Sequence, residues 1–335
     1  MSFDAVLVIA FGGPEGPDDV RPFLGNVLRG RRVPPERIEE VAHHYELFGG
    51  VSPLAEITRR QAEALGARLA GAGVPIPVYV GMRNWHPFLA DTLAEMSAAG
   101  VRRAIGFIMA PHGSYASCGQ YKENVRDARL ALRDRGLPDV AVTYMGSWYA
   151  HPLFIAANAA HVRAALARLG QRLAERAQLV FTAHSIPLPA AERSRYREQL
   201  QESSRLVAAA VGRTDWTVVY QSRSGRPEDA WLEPDVCDHL RAARARGLDA
   251  AVLCPIGFVC DHIEVLYDLD VEAAQVAKER GLGFVRAEAA NDDPLFVQMM
   301  AAEVLTLVER HRRGRPLPLV ANESPATLAP ARSHR

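Results

Sequence analysis

This sequence has few cysteines, no net charge and no long apolar runs. Its 335 residues include only 4 cysteines, and none is spaced as a C-x-x-C pair, so no disulfide framework is expected. The formal net charge of +0 gives no support for nucleic-acid binding. No apolar run approaches the roughly 20 residues that a membrane span needs, and no signal peptide precedes the first apolar stretch. We therefore expect a cytoplasmic protein with reduced thiols and no membrane span.

Several motifs of nucleotide-binding proteins and hydrolases are also missing. The turn formed by Gly12, Gly13 and Pro14 matches neither G-x-G-x-x-G nor G-x-x-x-x-G-K-[ST], which argues against nucleotide binding. His184 and Ser185 do not lie in a G-x-S-x-G elbow, and the chain has no H-E-x-x-H motif. The sequence therefore gives no support for a serine hydrolase or a zinc peptidase.

Short apolar runs rich in β-branched residues alternate with longer stretches of helical period. This alternation is typical of parallel sheets covered by helices. Strands are predicted over residues 5–10, 76–81, 104–110, 140–145, 179–183, 217–221, 250–254 and 284–286. Helices are predicted over residues 56–71, 87–99, 120–135, 152–169, 193–211, 234–246 and 261–279, with a last one after Asn291 as the N-cap.

The order of these elements predicts an α/β protein with two Rossmann-like, doubly wound parallel-sheet domains and a cleft between them. We expect residues 1–148 to form the first half and 149–314 the second. The last helix, 293–313, could pack back on the first half. Residues 315–335 are rich in Pro, Ala and Ser, which predicts a disordered tail.

Polar, turn-rich residues follow most of the predicted strands. Ligands of such sheets bind off the carboxyl ends of the strands, so these residues are expected to form the rim of a site. They are residues 11–14, 83–85, 112–115, 184–185, 221–223 and 261–262. Histidines, hydroxyls and guanidiniums are therefore expected on one rim.

An acidic stripe is predicted after the strand that ends at Cys254. If Asp261 opens a helix, Glu264, Asp268 and Glu272 follow at intervals of four residues, and each step rotates by about 40°. A divalent cation or a proton would relieve their mutual repulsion. A solvated acidic face is the alternative, but the stripe starts at the predicted rim and has apolar neighbours. A π-bulge would align the stripe further.

The histidine and the arginines of the rim have more than one interpretation. His184 ends a strand and is a structural residue, a general base or a metal ligand. Arg29, Arg31 and Arg32 form either a solvated surface or partners for the carboxylates of an anionic ligand. Cys254 and Cys260, with no further thiol nearby, are predicted to be buried small apolar residues.

Taken in order, six segments resemble the ferrochelatase family, and the match runs from Phe11 to about Val308. The segments are residues 12–15, 48–53, 183–187, 221–222, 231–234 and 255–268. The resemblance implies a lyase that inserts Fe(II) into a porphyrin held between two Rossmann-like halves. It also implies that His184 and Glu264 are the catalytic, metal-binding pair, with Asp268 and Glu272 as further metal-binding residues of an acidic ridge.

The chain is more similar to the coproporphyrin III branch of the family found in Gram-positive, actinobacterial-type organisms. No apolar insertion lies between Leu28 and Tyr45, so a more open, polar cleft is expected, suited to four propionates. The product would then be coproheme, in haem b biosynthesis. Substrate-binding candidates are Phe11, Arg29, Arg31, Ser52, Arg83, Ser114, Tyr115 and Tyr121. Some relatives have Tyr in place of Phe11, and Phe11 cannot ligate iron.

The resemblance also bears on cofactors and partners. Some actinobacterial relatives hold a [2Fe–2S] cluster with cysteines near the C-terminus, but none follows Cys260 here, so no cluster and no other permanent cofactor is predicted. Porphyrin and ferrous iron are the expected partners, a downstream haem-pathway enzyme is a possible one, and a monomer is expected. The alternatives are a protoporphyrin IX ferrochelatase, a non-catalytic tetrapyrrole- or haem-binding protein, and a chelatase that loads cobalt into another macrocycle.

Overall fold

Two four-stranded parallel sheets form the frame of the molecule. The computed structural model describes residues 3–30, 33–224 and 228–314. The first sheet contains β1 (Ala5–Ala10), β2 (Val78–Met82), β3 (Arg103–Ile108) and β4 (Ala141–Tyr144), in the order β2-β1-β3-β4. The second contains β5 (Ala177–His184), β6 (Trp216–Gln221), β7 (Ala250–Cys254) and β8 (Gly283–Arg286), in the order β6-β5-β7-β8. The second half thus repeats the topology of the first, and the predicted α/β class with two parallel sheets is confirmed.

Helices cover both faces of each sheet, because alternate residues of a strand point to opposite faces. In β1, Val6 and Val8 belong to one apolar core, whereas Leu7 and Ile9 belong to another. Such strands are buried on both faces, which is why they read as unbroken apolar runs. β1 and β7, both fully buried, have the predicted bounds.

The helices that connect the strands lie close to the predicted positions. They are α1 (Val20–Val27), α2 (Pro35–Glu46), α3 (Leu54–Gly71), α4 (Leu89–Ala98), α5 (Gln120–Asp134), α6 (Pro152–Arg168), α7 (Gln171–Arg176), α8 (Leu188–Glu192), α9 (Tyr196–Ala210), α10 (Val236–Ala245), α11 (Ile263–Val265), α12 (Ala274–Glu279) and α13 (Pro294–Arg312). A 3-10 turn spans Pro17–Asp19, and π-helical segments span Tyr115–Gly119 and Leu266–Ala273. The helices α1, α2, α7 and α8 were not among the predicted elements.

Several predicted helix starts differ from the observed ones by two or three residues, among them those at Asp261 and after Asn291. The helix expected from Asp261 begins at Ile263, with His262 in extended conformation at the N-cap. The last helix is capped by Asp293, whose carboxylate accepts from the backbone N–H of Leu295 at 2.7 Å, rather than by Asn291. Asn291 instead has a φ of 46°, and its side chain accepts from the backbone N–H of Asp261 at 2.8 Å. A tertiary contact therefore determines the role of Asn291.

A shared apolar core joins the two halves. Trp148 packs against Phe107 of β3 at 5.8 Å between ring centroids, and against Phe154 and Phe296 at 5.2 and 5.7 Å. The last helix, α13, contacts α6 of the second half and α3 of the first. The division of the chain at residue 148 stays a prediction, and the predicted disordered tail, 315–335, lies outside the described residues. Within the described ranges, no helix is both long enough and apolar enough to cross a bilayer.

Candidate active site

His184 is the last residue of β5 and lies at the carboxyl edge of the second sheet. Its Nδ1 atom is 2.5 Å from the carbonyl oxygen of Ser185, and its own carbonyl accepts from the hydroxyl of Tyr196 at 3.0 Å. A carbonyl only accepts, so this contact requires the proton on Nδ1. In the neutral imidazole, Nε2 is then left with a free lone pair, which is the form that ligates metal or takes up a proton.

Glu264 faces His184 from the helix that follows β7. The distance from Nε2 of His184 to Oε2 of Glu264 is 3.9 Å, and Nε2 of His262 is 3.4 Å from the same oxygen. Nδ1 of His262 contacts the carbonyl of Cys260 at 3.1 Å, so its Nε2 also presents a lone pair when the ring is neutral. Two imidazole nitrogens therefore face one carboxylate oxygen, which favours a proton shared with that oxygen.

The charge on Glu264 depends on these two imidazoles. Burial favours the protonated carboxyl, but the charge of His184 and the hydrogen bond and charge of His262 outweigh it and hold the pKa of Glu264 at about 2. The side chain nevertheless keeps 42% of its surface exposed, so it is free to move toward a ligand in the cleft. A flat ring that lies between two side chains makes a van der Waals contact with each of them, so the two contacting atoms are roughly 7 Å apart. His184 and Glu264 are closer than this and must move apart to admit a macrocycle.

Asp268 lies in the π-helical segment, four residues after Glu264. Its Oδ2 atom accepts from the hydroxyl of Ser222 and, at 3.3 Å, from Nε2 of Gln221. Burial raises the pKa of Asp268 to about 7, while the Ser222 hydrogen bond lowers it and the charges of Glu264 and Glu272 raise it. A carboxyl of this kind can exchange a proton near neutral pH.

Glu272 continues the acidic stripe toward the surface. Burial, then the charge of Asp235, raises the pKa of Glu272, and Arg37 of α2 opposes this shift. In an α-helix a step of four residues passes a full turn, whereas in the wider π-helix it falls short of one. Asp268 and Glu272 both lie in Leu266–Ala273, so the step between them runs wholly through the π-helical segment and falls slightly short of one turn. The π-helical segment thus occurs at the place where the sequence could only suggest one.

The predicted substrate-binding residues lie mainly on the first half. Ser52 and Ser114 are buried, and a Cβ atom at Gly13 would lie 2.7 Å from that of Ser52, so only glycine lets this turn pack there. Phe11, directly after β1, packs edge-on against Phe23 at 6.2 Å between ring centroids. Ser114 caps the π-helical segment Tyr115–Gly119 through reciprocal bonds with Ser117. The contacts of these residues with their neighbours therefore hold this part of the rim in place.

Arg83, Tyr115 and Tyr121 form the polar part of that rim. Arg83 donates to Gln120 at 2.7 Å, and the exposed Tyr115 donates to Glu123 at 2.8 Å. Tyr121 is buried, which raises its pKa above the usual range; the charge of Arg83 lowers it and that of Glu264 raises it. Tyr121 is thus within electrostatic reach of groups on both halves.

The remaining two candidates are Arg29, which follows α1, and Arg31. Arg29 is exposed and donates to Asn26 at 2.6 Å, and Asn26 in turn donates to the carbonyl of Asn84 at 3.1 Å. Arg31 lies outside the described residues. His262, Gln221 and Ser222 contact the site but were not predicted as site residues, although all three lie in segments named as parts of the rim. Only His262 has a further sequence signal, because it lies two residues before Glu264; Gln221 and Ser222 are identified by contacts that the fold makes.

These features occur together with a match to one family over nearly the whole chain. The family model described as Ferrochelatase matches residues 3–307. The chain belongs to the ferrochelatase family. It is 49% identical over 303 residues to the ferrochelatase of Rhodopirellula baltica, covering 90% of this chain and 85% of that one. It is 47% identical to the coproporphyrin III ferrochelatase of Mycolicibacterium smegmatis, covering 94% of this chain and 92% of that one. It is 43% identical to the coproporphyrin III ferrochelatase of Streptomyces coelicolor, covering 99% of this chain and 95% of that one.

Solved chelatase structures share the fold of this ferrochelatase-family protein. SirB from Bacillus subtilis with Fe3+ has a TM-score of 0.55 at 10% identity, covering 94% of this chain and 99% of that one. DR2241 from Deinococcus radiodurans, a multi-domain protein with structural similarity to chelatases, has a TM-score of 0.54 at 15% identity, covering 90% and 55%. At such identities the likeness bears on the fold alone.

Proposed function

We propose that this protein inserts Fe(II) into coproporphyrin III to give coproheme, in haem b biosynthesis. The observation that carries the proposal is the facing pair of His184 Nε2 and Glu264 Oε2 at 3.9 Å, at the carboxyl edge of the second sheet. His184 can take up a proton or contact a metal ion, and the Glu264 carboxylate, with its low pKa, offers a negative charge to the ion; a ferrochelatase needs both proton uptake and metal contact. The chemistry replaces two pyrrole N–H protons by one Fe(II) ion, so two protons leave for each ion inserted.

We assign the steps to residues by their protonation chemistry. His184, with its proton fixed on Nδ1 by the Ser185 carbonyl, presents Nε2 as proton acceptor or iron ligand. Glu264 provides the carboxylate opposite. Asp268 takes protons from the site or passes the ion on, since burial keeps its pKa at about 7, and Glu272 extends the same stripe toward solvent.

The choice of coproporphyrin rests on the relatives and on the rim. The relatives from Mycolicibacterium smegmatis and Streptomyces coelicolor bear the name coproporphyrin III ferrochelatase. Arg83 and Tyr115 bring a guanidinium and a phenol to the edge of the first sheet, and such donors pair well with carboxylates. Arg29, Ser52, Ser114 and Tyr121 are proposed as further polar contacts, and Phe11 as an apolar one. A cytoplasmic location, a monomeric state and the lack of a [2Fe–2S] cluster stay predictions.

The test is anaerobic insertion of ferrous iron, followed by absorbance, with coproporphyrin III and protoporphyrin IX supplied side by side. Faster turnover of coproporphyrin is the expected result. Preference for protoporphyrin would keep the enzyme class and overturn the assigned substrate. Tight binding without turnover of either would indicate a tetrapyrrole-binding protein instead.

A further inference from the structure

One glutamine connects the strand of His184 to the helix of Glu264. Gln221 is the last residue of β6 and pairs in register with His184 on β5. Its carbonyl accepts from the backbone N–H of Ser185 at 2.8 Å, which fixes its main chain beside His184. The backbone position of Gln221 is therefore tied to that of His184 by the sheet itself.

The side chain of Gln221 contacts the helix that carries Glu264. Its Nε2 atom donates to the main-chain carbonyl of Glu264 at 2.9 Å and to Oδ2 of Asp268 at 3.3 Å. Only 1% of the residue is exposed, so water does not compete for these bonds. The opposite amide orientation would point an oxygen at a carbonyl and a carboxylate, so chemistry fixes the assignment of nitrogen and oxygen.

The helix needs such a contact because its hydrogen bonding changes there. Helix α11 ends at Val265, one residue after Glu264, and the π-helical segment begins at Leu266. On its other side, Arg286 at the end of β8 donates to both carboxylate oxygens of Asp270 at 2.8 Å and to Asp261 at 2.8 Å. Arg286 thus holds the segment against β8, but it makes no described bond to the strand of His184.

We propose that Gln221 is a positioning residue for iron insertion, which fixes the main chain at Glu264 relative to the strand of His184 through its paired bonds to the two elements. The inference rests on the proposed function, because it assigns Gln221 a role in that same site. The described bonds of the Gln221 side chain reach the main-chain carbonyl of Glu264 and Oδ2 of Asp268, not Nε2 of His184 or the carboxylate of Glu264. Gln221 acts by holding the main chain at Glu264 and the carboxylate of Asp268 in place relative to the strand of His184.

Three variants separate positioning from stability. Gln221→Leu keeps the volume but removes both donors, and Gln221→Asn keeps the amide on a shorter side chain. The control is Gln178→Leu, because Gln178 also lies in the second sheet, donating to Asp215 at 2.7 Å and contacting His239 at 2.8 Å, but near the opposite end of β5 from His184. All three lose hydrogen bonds, and only the Gln221 variants lose those that reach Glu264.

The experiment measures initial rates with ferrous iron and coproporphyrin III varied separately, and porphyrin affinity by fluorescence quenching. For both Gln221 variants we expect the KM for iron to rise by about tenfold, as for other residues that orient metal ligands, with porphyrin affinity changed by less than about twofold. Gln178→Leu is expected to lower Tm without changing either quantity. Unchanged KM for iron in both Gln221 variants, or an equal loss of iron and porphyrin binding, would overturn the proposal.

Calorimetric titration with Co(II) separates the two proposals. If the wild-type protein inserts no metal, the proposed function fails, and Co(II) affinity alone then decides the role of Gln221. Weaker Co(II) binding in Gln221→Leu than in Gln178→Leu supports positioning. Equal affinity in the two variants, or no Co(II) binding by the wild-type protein, overturns it.

Discussion

His44 of α2 stacks face to face on Tyr267, with ring centroids 3.5 Å apart and an angle of 11° between the rings. Tyr267 lies in the π-helical segment between Glu264 and Asp268 along the chain. Val20, Phe23 and Tyr45 share an apolar cluster with Ile263, so α1 and α2 of the first half lie against the helix of the second. The cleft is thus bounded on this side by a direct contact between the halves.

Loss of this stack is expected to loosen that contact. For His44→Ala we expect a decrease of about 0.5–1.5 kcal/mol in the free energy of unfolding, the range for an aromatic pair. Urea denaturation measures it. His43→Ala is the matched control, because His43 is a neighbouring histidine whose side chain is 66% exposed. An equal effect of both variants would contradict a specific role for the stack.

Replacement of His184 should separate chemistry from binding. His184→Ala removes the Nε2 atom that faces Glu264, and we expect kcat to fall by about 10²- to 10⁴-fold, the usual contribution of a positioned acid or base. Porphyrin affinity, measured by fluorescence quenching, should stay within about threefold, because most of the ring surface contacts other residues. Retained turnover in the variant would remove His184 from the proposed mechanism.

His112 makes the stability of the protein sensitive to acid. Burial lowers the pKa of His112 to about 3, and its Nε2 atom contacts Ser203 at 2.9 Å. Because the ring charges at about pH 6.5 in the unfolded chain, the unfolded state binds the extra proton first. The neutral, buried ring of His112 therefore makes its full contribution to the free energy of unfolding above about pH 6.5. This contribution decreases by about 1.4 kcal/mol per pH unit as the pH falls toward 3.

Urea denaturation at several pH values between 4 and 7 measures this loss. His112→Phe should be less stable than the wild-type protein at pH 7. Its free energy of unfolding should depend less on pH, because about one proton fewer is taken up on unfolding. Ser203→Ala, which removes the hydroxyl partner and keeps the imidazole, should be less stable and keep the wild-type slope. An unchanged slope in His112→Phe would show that His112 is not the titrating group.

Trp148 should couple the unfolding of the two halves, since it packs on Phe107 of the first half and on Phe154 and Phe296 of the second. For Trp148→Ala we expect a loss of about 3–5 kcal/mol, the usual cost of a large cavity in a core. Calorimetry should show a broader transition or two transitions. A single sharp transition at a lower Tm would confine the role of Trp148 to packing.

The sequence by itself determined the architecture. Strands such as β1 and β7, buried on both faces, must be apolar at every position, so their bounds could be predicted directly from the composition of short segments. The rule that ligands bind at the carboxyl ends of parallel strands then placed His184 on the rim. Helical spacing indicated Glu264, Asp268 and Glu272 as an acidic stripe, the family motifs implied their roles, and the match over residues 3–307 confirms the family.

Only the tertiary structure decided which rim residues meet. Gln221 and Glu264 are 43 positions apart, and no local pattern predicts that an amide will donate to a distant carbonyl at 2.9 Å. The bond from Asp261 to the side chain of Asn291 and the stack of His44 on Tyr267 likewise depend on contacts between elements. Periodicity and composition report the burial of a segment, whereas hydrogen-bond partners depend on which segments the fold brings together.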